Sequence, residues 1–298
     1  MSSLWLRGCL LLLIAIPATI FFCLLRVASE AAVPYLGFVF WQCVGGSVLF
    51  ALILGIRKIN VPIDLPHLRY YLTAAVFGLA IPYLAMTFAS AHIPVGVLSM
   101  VLAIEPALTY LLALLLLLER FRAVRFAGLL IGIAGLFLML LPQASLPTRG
   151  MVPWVIVGLI VPVSWAVWSN LMAYRVPPQT GSMVVCFAML LLGALILLLP
   201  VIALGELWWF DEVSSDLWWL VPVFSVLNVC IWLASFECIR IAGPVFYSTW
   251  AFIGTPMIIA MGMLLFGERH SPWIWSALVL LLISLAFVNL VRAGRDKQ

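Results

Sequence analysis

Residues able to do chemistry are scarce in this chain. Its 298 residues include 11 Asp and Glu, 15 Lys and Arg, 3 His and 6 Cys. Glu105 is the acid best placed for function. It lies 11 residues beyond Pro94 in an otherwise apolar run, hence about 16 Å along a helix and close to the middle of a hydrocarbon core about 30 Å thick. An ionised carboxylate at that depth costs roughly 3 kcal/mol, so such residues face a partner or a wet cavity. Three roles fit: an acid that carries a proton as coupling ion, a ligand for a substrate ammonium group, or a structural Glu-Pro turn with Pro106.

Other polar groups within apolar runs extend the candidate set. Tyr83, Thr87 and Ser90 follow an i, i+4, i+7 pattern on one helix face. Gln42, Thr109, Asn170, Asn228 and Thr255 add uncharged donors and acceptors. In lipid, such groups either bond neighbouring helices or line a solute path. Trp41, Trp165, Trp168, Trp232 and Trp250 lie deep within their runs, whereas Trp5, Trp154, Trp208 and Trp273 sit near span ends as interfacial anchors. A deep indole N–H wants an acceptor. Trp165 and Trp168, one turn apart beside Ser164 and Ser169, read equally as a cavity wall or as packing. Glu237 precedes Arg240 by three residues, a spacing that predicts an intrahelical ion pair. Glu119 and Glu268 sit at loop junctions, where capping and packing explain them. His92 is assigned no role.

Several chemistries are excluded. Cys9, Cys23, Cys43, Cys186, Cys230 and Cys238 form no C-x-x-C pair and adjoin no histidine cluster, so neither a disulfide framework nor a metal site is expected. There is no G-x-x-x-x-G-K-[ST] loop, no H-E-x-x-H and no nucleophile motif. No catalytic residue and no cofactor is therefore assigned, and the expected protein is not an enzyme. No basic cluster with interleaved aromatics marks a nucleic-acid surface.

These residues must be held by elements suited to lipid. Hydrophobic residues make up 66% of the chain and charged ones 9%, against about a quarter charged in a soluble domain. Runs broken by charge, Pro and Gly predict ten spans, at 8–25, 33–56, 68–89, 94–118, 126–141, 152–174, 183–204, 217–239, 244–266 and 272–291. The expected fold is an all-α integral membrane protein. Twelve Lys and Arg fall on the side that holds the N-terminus, against Arg26, Arg149 and Arg269 opposite. Cytoplasmic loops retain such charges, so both termini are predicted to be cytoplasmic, with Glu206, Asp211, Glu212 and Asp216 outside.

The halves also repeat. Pro17, Pro94, Pro106 and Glu119 recur as Pro162, Pro244, Pro256 and Glu268, at offsets of 145, 150, 150 and 149 residues. Five spans per unit is odd, so two inverted five-helix repeats are expected, residues 1–146 and 147–298. Inverted repeats are characteristic of secondary transporters with a midplane site.

At these repeated positions the sequence resembles the EamA-type branch of the drug/metabolite transporter superfamily. The stretches IPVGVLSMVLAIEPALTYLLALLLLLERF and AGPVFYSTWAFIGTPMIIAMGMLLFGERH look like the family's fourth and ninth helices. They are followed by FAGLLIGIAGLFLMLL and WSALVLLLISLAFV in the places of the fifth and tenth. The resemblance implies ten helices around a central cavity and export of amino acids, drugs or other metabolites across an inner membrane by alternating access. Two departures stand out. A Trp-Gly pair common in the first helix is Ile16-Pro17 here, and an arginine often found in the second helix is Gln42. The alternatives are a phosphorylated-sugar or nucleotide-sugar exchanger, which needs cations within the spans, and a non-transporting scaffold or sensor.

Overall fold

The computed structural model describes residues 2–31, 33–90, 92, 104–140, 152–174, 176–208, 217, 219–266, and 276, 279–280, 282–284 and 286–287. Among the residues singled out above, Pro94, Arg149, Asp211, Glu212, Asp216, Glu268, Arg269 and Trp273 lie outside this set, and so do the side chains of Arg26, Ser90 and Thr255.

Helices α1 (Ser2–Glu30) and α2 (Tyr35–Ile56) open the chain. The third predicted span runs from α3 (Leu65–Ala75) through a π-helical turn (Val76–Ala80) into α4 (Ile81–Ser90). Then follow α5 (Glu105–Leu115), α6 (Ala123–Leu140), α7 (Val152–Tyr174), α8 (Ser182–Ala203), α9 (Leu220–Ala242), the short α10 (Pro244–Ser248) and α11 (Trp250–Phe266). Among the described residues, seven stretches are long and apolar enough to cross a membrane: Trp5–Leu24, Tyr35–Ile56, Leu65–Ala89, Pro153–Tyr174, Ser182–Ala203, Leu220–Ala242 and Pro244–Leu265. The helices Glu105–Leu115 and Ala123–Gly135 are apolar but shorter.

Three boundaries differ from the sequence expectation for physical reasons. Helix α1 extends past the apolar run at both ends, because lipid thickness limits the apolar part of a helix and not the helix itself. The π turn carries no compositional mark. The ninth span is broken at Thr249, whose hydroxyl donates to the Phe246 carbonyl at 2.6 Å and whose amide does the same at 3.2 Å.

Helix α1 packs on α9 and α11, and α7 packs on α4 and α5. Helix α9 also lies on α2, while α3 lies on α8; α2 meets α8, and α5 meets α10. Helices α2 and α8 end alike. Lys58 (φ 52°) and Gly205 (φ 69°) adopt left-handed conformations one residue past the cap. The following amides, of Ile59 and Glu206, then donate to Leu54 O at 3.0 Å and Val201 O at 2.9 Å, satisfying carbonyls the helix ends would leave orphaned. From the C-terminal region, the Ser284 hydroxyl donates to Gly128 O in α6 at 2.6 Å.

Candidate functional site

Pro106 stands in the first turn of α5, where its missing N–H costs nothing, and it places Glu105 at the helix start. The Glu105 side chain is buried, 3% exposed, and its Oε1 has no hydrogen-bond partner. Tyr247, three residues past the Pro244 that starts α10, lies within electrostatic reach of Glu105 and Tyr83. Tyr83 of α4 in turn has the Tyr35 ring of α2 at 6.5 Å. Four segments, α2, α4, α5 and α10, thus bring an acid and three tyrosine hydroxyls toward one another.

An aromatic cluster borders it. The Trp168 ring is fully buried, with Trp232 at 5.1 Å, Phe236 at 5.3 Å and Tyr247 at 5.6 Å, all edge-on. The indole N–H groups of Trp168 and Trp232 have no acceptor. Gly78 in the π turn makes room for this packing, since a Cβ there would lie 2.9 Å from Trp168 ring atoms. Unfilled donors beside aromatic faces and a carboxylate suit a solute that is part apolar and part polar.

The other candidates divide. Trp165 donates to Gly78 O at 3.3 Å and Ser164 to Phe77 O at 2.9 Å, so this side of α7 is tied to carbonyls of the π turn. Trp41 lies away from the acid and donates to Trp208 O at 2.7 Å. The Thr87 hydroxyl donates to Tyr83 O at 2.8 Å. Trp250 lies over Gly254, and its indole N–H has no acceptor. Gln42 is 1% exposed with neither amide atom hydrogen-bonded, and Asn228 is 3% exposed. Thr109 and Asn170 meet between α5 and α7, where Asn170 Nδ2 donates to Thr109 O at 3.0 Å. Sequence reasoning missed Tyr35 and Tyr247. Tyr247 had a usable signal, a phenol within the repeated segment that carries Pro244 and Pro256.

The two ends of the bundle differ. At the end holding the α2 N-terminus, Glu206 accepts the Leu36 N–H at 2.9 Å, a favourable place for an anion. Gly37 lets the loop approach: a Cβ would fall 1.9 Å from Glu206 O. Gly37→Ala is accordingly expected to lower stability by about 1–3 kcal/mol, read as a reduced thermal midpoint in detergent; an unchanged midpoint would contradict this contact. At the opposite end a cleft of about 140 Å³ opens beside Tyr70, Thr180, Ser182, Phe236 and Arg240. Glu237 and Arg240 form the predicted ion pair there, with Nε at 3.0 Å from the carboxylate. Phe236 borders both this cleft and Trp168. Among the described residues, no three His, Cys, Asp or Glu side chains converge as a metal site.

Fold and site together define a helical protein with seven membrane-capable stretches among the described residues and a buried carboxylate at a helix start. Residues 6–141 match the model of the EamA-like transporter family. The protein named as the uncharacterized inner membrane transporter YedA of Escherichia coli (strain K12) is 27% identical over 232 residues, covering 76% of this chain and 73% of the relative. Its counterpart in Escherichia coli O157:H7 matches to the same extent. A crystal structure of a protein shares the fold, with a TM-score of 0.77 at 20% identity, over 100% of this chain and 99% of the other.

Proposed function

We propose that this protein is a secondary active transporter that exports a small amphiphilic solute, an amino acid or a drug bearing an amine, across the inner membrane. The carrying observation is Glu105, buried at the start of α5, which packs on α7 and α10, near aromatic rings whose N–H groups lack acceptors. A carboxylate held there at a cost of roughly 3 kcal/mol is suited to binding a cation. Trp168, Trp232 and Phe236 offer faces to the apolar part of the solute.

Alternating access of two inverted five-helix units, ten helices in all, is part of the proposal. The packing pattern supports it. Exchanging the first five spans with the last five turns the α1 contacts on α9 and α11 into the α7 contacts on α4 and α5, and the α9–α2 contact into α3–α8. The matched ends of α2 and α8, 147 residues apart, agree with this exchange. On the distribution of Lys and Arg, both termini and the Arg240 cleft are assigned to the cytoplasm. Solute would then enter by the cleft and pass Phe236 toward Glu105.

Purified protein in liposomes, loaded with a panel of amino acids and amine-bearing drugs, tests the proposal. Gradient-dependent efflux of at least one class is expected. Folded protein that moves none of them under any ion gradient would leave the scaffold or sensor alternative standing.

A further inference from the structure

Helices α5 and α7, which pack together, carry three buried oxygen atoms without a hydrogen bond: Glu105 Oε1, Thr109 Oγ1 and Asn170 Oδ1. Their side chains are 3%, 0% and 0% exposed. Glu105 and Thr109 are one turn apart on the same face of α5. Asn170 is held against that face by Nδ2, which donates to Thr109 O at 3.0 Å and to Ala166 O at 2.8 Å. Both partners are carbonyls, which only accept, so the amide orientation is fixed and Oδ1 is the atom left unbonded.

Thr109 also departs from the behaviour of its own kind in this protein. Thr19, Thr73, Thr87, Ser225 and Ser235 each donate to the carbonyl four residues earlier, at 2.6–2.8 Å. Thr109 forgoes that bond although it is fully buried. Leaving buried polar atoms unmade is costly, and three on two packed helices call for an occupant.

The donor set narrows what the occupant is. Carboxylate, hydroxyl and amide oxygens are ligands for a hard cation, and the three atoms include neither sulfur nor imidazole, the usual partners of softer metals. One carboxylate balances one positive charge, whereas a divalent ion would leave net charge in a low-dielectric interior. We propose that Glu105, Thr109 and Asn170 form a sodium-binding site, and that sodium is the coupling ion of this transporter; the second clause rests on the transport function proposed above. A titratable group within electrostatic reach of Glu105 is Tyr247 on α10; the Arg125 of α6 is engaged with Glu119. A proton and sodium therefore compete for one carboxylate.

The full chain in detergent is titrated with NaCl against choline chloride at constant ionic strength, following tryptophan fluorescence, since Trp168 lies two residues from Asn170, and thermal midpoint. A saturable, sodium-specific change in both is expected. Thr109→Val, which keeps the branched shape, should raise the half-saturating sodium concentration at least about tenfold, one lost charge-assisted ligand. Thr73→Val, which removes a hydroxyl bonded within its own helix, should leave it unchanged. No sodium effect on the parent, or equal sodium response in Thr109→Val, overturns the site. In liposomes, flux driven by a pH gradient and indifferent to sodium overturns the coupling role while the transport function stands. Sodium binding with no flux under any gradient keeps the site and removes the transport function. If Thr109→Val does not fold, the parent titration decides alone.

Discussion

Glu105→Gln is expected to reduce solute flux about 100-fold while the protein stays folded. The amide keeps the size of the carboxyl and removes its charge. An interaction with a charged partner is worth about 1.5–3 kcal/mol, and 2.7 kcal/mol corresponds to about 100-fold in affinity. Stability should move in the opposite sense, because the buried charge it removes costs roughly 3 kcal/mol in lipid. Flux in liposomes and thermal midpoints, measured over a range of pH, check both halves. A Gln variant that transports like the parent at every pH would show that the carboxylate is a structural turn beside Pro106 and not part of the solute path.

The second large effect concerns the loop between α5 and α6. Arg125 is 6% exposed and pairs with Glu119, 16% exposed, at 2.7 Å. The Arg122 amide meanwhile donates to the Tyr110 hydroxyl at 2.9 Å, so the turn is fixed twice. Glu119→Ala leaves a guanidinium buried without its counter-charge and should cost about 3–5 kcal/mol. Adding Arg125→Leu should restore most of that loss, since the penalty is the unpaired charge and not the missing attraction. A double variant no more stable than Glu119→Ala would show that the loop depends on the pair for geometry.

Much of the framework was legible because lipid leaves few solutions: apolar runs of the right length must be helices. The Glu237–Arg240 pair followed from spacing alone. What escaped depends on rotation and on gaps between elements. Trp41 and Trp165 read as deep indoles, yet their N–H groups are used by Trp208 O and Gly78 O, carbonyls 167 and 87 residues away. Nothing in the sequence sets Tyr35, beside a predicted span boundary, next to Tyr83. No periodicity announces that Thr109 omits its helical bond, or that Glu206 reaches the Leu36 amide.

The π turn at Val76–Ala80 lets one crossing serve two neighbours. Each residue of a regular helix turns the side chains by about 100°, and an added residue in the turn shifts the register of all that follow. Before it α3 lies along α8; after it α4 lies along α7. Deleting one residue from the turn would restore a uniform spiral and swing Tyr83 about a quarter of the way round, out of the company of Tyr35 and Tyr247. The segment is therefore a fixed coupling between two helix interfaces, set by a single residue count.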